Sequence, residues 1–147
     1  MYDKFQERYK DMDYKKLVEA AINARKMSYT PYSNFKVGAA LLTKSGKTFT
    51  GCNIESAAYT PTNCAERTAL FKAVSEGERE FLAIAVVGAP AEGESNFCYP
   101  CGVCRQMLKE FVSDDFILVI AKSAEEYKVH KFGEILPYSF GPEDLMI

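Results

Sequence analysis

The chain has a single histidine, no apolar run long enough to cross a bilayer, and no surplus of either charge sign. Each shortage excludes something. With His130 alone, proton transfer has to rest on carboxylates and thiols rather than on an imidazole relay. The longest apolar stretches, Phe81 to Ala91 and Phe116 to Ala121, fall short of the roughly 20 residues a membrane helix needs. Lys and Arg number 18 against 20 Asp and Glu, a net charge of −2, which gives no basic footprint for nucleic acid. Lys15, Lys16, Arg25 and Lys26 read instead as a solvated helix face. No glycine-rich phosphate loop of the usual form is present, nor any internal repeat, low-complexity tract or linker. One domain over residues 1–147 is therefore expected, large enough to bury about two-thirds of its unfolded surface. Met1 to Asp13 alternates charged and aromatic residues and lacks the apolar core of an export signal. That points to the cytoplasm, where thiols stay reduced.

What is present is periodic. Leu17, Ala20, Ala21, Ala24 and Met27 recur at helical spacing and indicate a helix from about Asp13 to Ser28, ended by Thr30-Pro31. Phe35 to Thr43 and Lys47 to Ile54 read as a hairpin about the turn Lys44-Ser45-Gly46. A second helix is expected over Asn63 to Ser75, stopped by Gly77. Phe81 to Val87 is a continuous apolar strand of the kind buried on both faces, followed by a loop from Gly88 to Pro100. A third helix over Cys101 to Phe111, carrying Val103, Met107 and Phe111, leads to strands Phe116 to Ala121 and Glu126 to Lys131. This order implies an α/β fold: one mixed five-stranded sheet with helices on both faces, three layers in all. Right-handed crossovers would bring the starts of the second and third helices to one edge of that sheet.

Those two starts carry thiols. Cys64-Ala65-Glu66 opens the second helix, and Pro100-Cys101-Gly102-Val103-Cys104 opens the third. Cys101 and Cys104, at i and i+3, share a helix face and can grip one ion. Three thiolates suit zinc, and a three-ligand site leaves a fourth position for water, whose pKa the metal lowers to roughly 7. Glu66 is placed to reach that water rather than the metal, and is the candidate proton carrier. One Zn2+ per chain is expected. Three thiolates about a dication sum to −1, so Arg67 is the candidate compensating cation, donating to the thiolates. The five cysteines leave alternatives open. Cys52 or Cys98 could close a structural four-thiol site, and Cys98 to Cys104 begins like an iron–sulfur run. Neither alternative explains Glu66 beside Cys64.

Together with Tyr32-Ser33-Asn34-Phe35-Lys36-Val37-Gly38-Ala39-Ala40, Gly51-Cys52-Asn53-Ile54-Glu55 and Ser139-Phe140-Gly141-Pro142-Glu143-Asp144-Leu145, these motifs resemble the zinc-dependent cytidine deaminases, specifically the small homotetrameric type. The resemblance spans nearly the whole chain, leaving Met1 to Asp11 as a short extension without a motif. It implies a cytidine-deaminase-like fold with Cys64, Cys101 and Cys104 as metal ligands and Glu66 as proton shuttle. It further implies that Asn53 and Glu55 hold the ribose hydroxyls, Phe35 packs on the pyrimidine, and the Ala65 backbone reads the base edge. Tyr59 and Phe140 resemble residues that reach into a neighbouring subunit's site, implying a homotetramer with shared active sites. The implied reaction is hydrolysis of cytidine and deoxycytidine to uridine and deoxyuridine with release of ammonia, a pyrimidine-salvage step. Deamination of a cytosine-containing nucleoside antibiotic is the nearest rival, and a structural zinc-binding module a remoter one. A small-molecule nucleoside partner is implied, with neither nucleic acid nor membrane.

Overall fold

The structure, a computed structural model, describes residues 12–145; the expected extension, Met1 to Asp11, lies outside the described residues. Helix α1 spans Tyr14–Arg25 and is capped by Asp13, whose Oδ1 accepts from Lys16 N at 2.9 Å. Strands β1 (Phe35–Thr43) and β2 (Thr48–Cys52) form the hairpin. Helix α2 (Ala65–Ser75) leads to β3 (Phe81–Pro90), and α3 (Gly102–Lys109) to β4 (Ile117–Ala121) and β5 (Tyr127–Lys131). A four-residue helix α4 (Phe132–Ile135) and a 3-10 turn (Pro142–Leu145) were not expected from the sequence. The strands lie in the order β2-β1-β3-β4-β5. Only β3 and β4 run parallel, so the sheet is mixed.

Alternation along the central strands explains the layers. Ile84, Val86, Leu118 and Ile120, with Ala39 and Leu41 of β1, face Ala69, Leu70 and Ala73 of α2 and Leu108 of α3. Ala83, Ala85, Val87, Ile117 and Val119 point the other way, onto Leu17, Val18 and Ala21 of α1. Covered on both sides, β3 and β4 need apolar residues at every position, which is why their sequences run without a break. Each large side chain so buried contributes about 1.5–3 kcal/mol. Gly51 lets β2 touch the first turns of α2: a Cβ there would press on Ala65 O and lie 2.5 Å from Ala69 N. This contact fixes the helix start that carries Cys64.

Several expectations need correction. The segment after β3 is not all loop, because β3 continues to Pro90, opposite Phe35 of β1. The proline is tolerated at a strand end, where no ladder needs its missing N–H. Arg25 is not on a solvated face. Its Nε donates to Lys36 O at 2.9 Å and its Nη2 to Ala89 O and Pro90 O at 3.3 and 3.1 Å, pinning α1 to the ends of β1 and β3. Met27 lies past the end of α1 and is 77% exposed. Val103, read as part of an apolar stripe, is likewise exposed, and α3 buries Cys104 and Leu108 instead.

Candidate active site

Cys64 and Cys101 are the N-cap residues of α2 and α3, both in extended conformation, and neither side chain caps its helix. Their thiols are free to point away from the helix axes and towards each other. The Sγ atoms of Cys64 and Cys101 are 3.8 Å apart, and with Cys104 Sγ all three lie within 4.8 Å of one another. Tetrahedral zinc with Zn–S bonds of about 2.3 Å needs sulfurs about 3.8 Å apart, so the donor set fits that ion in both type and spacing. Two helix N-termini aimed at the cluster favour its negative charge by about 0.3–1 kcal/mol each. Cys98 and Cys52 are not members of the group. Burial pushes the Cys98 thiol up to about 11, and Cys52 is raised by the same cause. Both are poor donors as they stand.

The charges around the thiols are arranged in one direction. Hydrogen bonding from Cys104, opposed by burial and aided by Arg67, pulls the Cys64 thiol down to about 5. Cys104, which keeps the proton of that pair, is raised. Arg67 Nη2 lies 3.4 Å from Cys64 Sγ, three residues along α2. Burial works against its charge, but bonds to Cys64 and Cys104 outweigh it and hold the guanidinium protonated. Arg67 Nε is buried without a partner. Glu66 is 4% exposed, the one charged side chain buried among the described residues. Burial, with the Cys64 thiolate beside it, pushes its carboxyl up to about 7. A carboxyl balanced near neutrality can both take and return a proton.

Of the remaining implied residues, Glu55 and Tyr59 share one hollow. Asn53 continues the hairpin ladder past Cys52 with its side chain: Oδ1 accepts from Val37 N at 2.9 Å and Nδ2 donates to Phe35 O at 2.8 Å. Glu55 Oε1 accepts from Tyr32 N and Ser33 N at 3.0 and 3.1 Å, and Oε2 from the Ser33 hydroxyl. Tyr32, Ser33, Glu55, Tyr59 and Thr62 line a hollow with no cation in its wall. Phe35, at the start of β1, is partly exposed, and its ring edge would meet a Cβ at Gly88 at 3.2 Å, where Cys98 also packs. Ala65, wholly buried, opens α2, where a backbone N–H has no partner within the helix. Tyr59 (73% exposed, φ 60°) and Phe140 (59% exposed) stand on the surface. Phe140 is held there from behind by Gln106 Nε2, which donates to its carbonyl at 2.8 Å. One contributor escaped the sequence reading: Arg105 bridges Pro100 O and Ile135 O at 2.8 and 2.6 Å. Its place beside Cys104 was the available signal.

A mixed sheet whose two helix starts converge three thiols and a buried carboxylate defines a zinc-site protein of the deaminase kind. A family profile described as the cytidine and deoxycytidylate deaminase zinc-binding region matches residues 11–120. The chain is 46% identical over 134 residues to a cytidine deaminase of Sporosarcina psychrophila, covering 91% of this chain and 96% of that protein. The crystal structure of cytidine deaminase from Burkholderia pseudomallei superposes with a TM-score of 0.78 at 48% identity, covering 85% of this chain and 97% of that one. A blasticidin-S deaminase of Bacillus cereus is 35% identical over 107 residues, 70% of this chain and 76% of that protein. The chain belongs to the zinc-dependent cytidine deaminase family.

Proposed function

We propose that the protein is a cytidine deaminase, converting cytidine and deoxycytidine with water to uridine and deoxyuridine and ammonia. The observation that carries this reading is the buried Glu66 beside three converging thiols. Cys64, Cys101 and Cys104 would hold one zinc ion, which when bound supplies a Lewis acid able to activate water at neutral pH. Glu66 takes the proton that the attacking water gives up, then delivers protons to N3 of the ring and to the departing C4 amine. Arg67 offsets the thiolate charge from behind. Phe35 packs on the pyrimidine, the Ala65 backbone reads its edge, and Asn53 and Glu55 receive the ribose. The remaining lone pair on Glu55 Oε2 and the second Nδ2 hydrogen of Asn53 are left for that purpose.

Tyr29, Tyr32, Ile54, Tyr59, Tyr138 and Phe140 are all exposed, and the Tyr32 and Tyr59 rings meet edge-on with centroids 6.1 Å apart. This supports a homotetramer in which Tyr59 and Phe140 complete a neighbour's site. The setting is pyrimidine salvage in the cytoplasm. No helix among the described residues is long and apolar enough to cross a membrane.

Ammonia release on a panel of cytidine, deoxycytidine, cytosine, CMP and blasticidin S tests the assignment. Cytidine and deoxycytidine should be turned over, and CMP should lose in kcat/KM, because a phosphate would approach the Glu55 carboxylate while Lys36, the cation acting on that carboxylate, is already bonded to Ser28 O. Preference for blasticidin S would support the antibiotic reading that its relative suggests. Equal use of CMP would remove Glu55 from the sugar site.

A further inference from the structure

Cys101 is the exposed thiol of the cluster, whereas Cys104 is buried and Cys64 half-buried. Burial therefore does not set where Cys101 sits. The segment that delivers it, Phe97 to Pro100, has no regular secondary structure. It is held by Lys128 and His130 of β5 and by Lys122 just after β4, none of which belongs to the cluster. Two ammonium groups approach the Phe97 ring, Lys128 Nζ at 4.4 Å and Lys122 Nζ at 4.7 Å from its centroid. Two residues on, the Tyr99 hydroxyl meets His130 Nε2 at 3.1 Å, with the ring centroids 5.4 Å apart. Lys128 and His130 are also two residues apart, so one face of β5 receives alternate side chains of the segment. His130 Nδ1 in turn lies 3.4 Å from Glu134 Oε2. A carboxylate can only accept, so in the neutral ring Nδ1 carries the hydrogen and Nε2 is left to accept from Tyr99.

The cation–aromatic pairs are weakly directional. The Tyr99–His130–Glu134 chain is directional, and it ends two residues before Cys101. We propose that His130, oriented by Glu134, is a positioning residue for the metal loop: through Tyr99 it fixes the backbone that carries Cys101 and thereby slows loss of zinc. The inference rests on Cys101 being a zinc ligand, as proposed above. The lone histidine then has a task in the site without touching substrate or metal.

The test is zinc release from the holoenzyme into a chromophoric chelator at fixed pH, with the melting temperature measured on the same samples. His130→Phe should release zinc about threefold to tenfold faster, the size of one lost hydrogen bond acting through an outer shell. Tyr99→Phe should do the same, and the double variant should be no faster than either single one, because both break one link. His130→Gln keeps an acceptor and should restore most of the wild-type rate. Val119→Ala, buried in β4 among the residues that pack on α1, should lower the melting temperature and leave release unchanged. If His130→Phe releases zinc at the wild-type rate while Cys101→Ser is purified without zinc, the positioning role is overturned and the ligand assignment stands. Zinc retained by Cys101→Ser overturns both.

Discussion

Cys64 and Cys101 occupy the same N-cap position with nearly the same backbone angles, φ −75° and ψ 157° against φ −67° and ψ 166°, yet their surroundings are opposite. After Cys64 come Ala65 and Glu66, both buried, under a strand that Gly51 brings into contact. After Cys101 come Gly102 and Val103, both exposed, and only Cys104 turns inward. The first start is gripped by the core, the second hangs from the sheet edge through Tyr99 and Arg105. Glu66, the proposed proton carrier, sits on the rigid side, where a displacement of one ångström would cost most. The side facing solvent is left open, as a catalytic metal position requires.

The difference between the two helix starts bears most heavily on Glu66. Glu66→Gln should keep fold and zinc but lose turnover at or beyond the upper end of the usual general acid–base range, about 10²–10⁴-fold, since one carboxylate serves several transfers. Near-wild-type kcat would remove it as the shuttle. Arg67→Met takes the guanidinium from the thiolates and should weaken zinc about tenfold to a hundredfold in a chelator competition. Unchanged affinity would make Arg67 a packing residue. The two helix starts should also differ in their tolerance of a methyl group. Gly51→Ala forces β2 off α2 and should cost roughly 1–3 kcal/mol in denaturant melts. Gly102→Ala meets nothing within 4 Å and should be neutral or stabilising by up to about 1 kcal/mol. Equal losses would mean that the starts are equally packed.

The smallest effect lies at Glu55. The Ser33 hydroxyl, with the Tyr32 and Ser33 amides, holds its carboxyl below the ordinary value of 4.5. A depressed carboxyl contributes fully above its unfolded value, and that contribution is lost as pH falls through the lowered one. A carbon-13 titration should place the Glu55 midpoint under 4.5, and Ser33→Ala should move it upward. A wild-type midpoint above 4.5 would contradict the bonds described here.

Much of this was legible in the sequence because it is local. Apolar runs mark β3 and β4, helical spacing marks α1, and the stop signal at Gly77 marks α2, so the three thiols fall at helix starts that local pattern can place. What was not legible depends on pairing across the fold. Nothing near Pro90 announces that β1 will lie beside it, so the strand was ended too early. Arg25 looked solvated because the carbonyls it binds are 11 to 65 residues away. Tyr99 and His130 are 31 residues apart and meet only because β5 is added beyond β4. The matched alternation of Phe97 and Tyr99 with Lys128 and His130 was visible, but it has meaning only once those segments are adjacent. Asn53 was read as a ribose contact, and its structural task of extending the hairpin ladder could not be seen before the strand ended at Cys52.

Three thiols, not four, would hold the metal and leave room for chemistry beside Glu66. Zinc per chain and ammonia release from cytidine, measured on the same preparations of wild type, Cys98→Ser and Cys104→Ser, test it most directly. Wild type and Cys98→Ser should each hold one zinc and turn over cytidine, and Cys104→Ser should lose both. Loss of zinc from Cys98→Ser would mean a closed four-thiol site, and the account would be wrong.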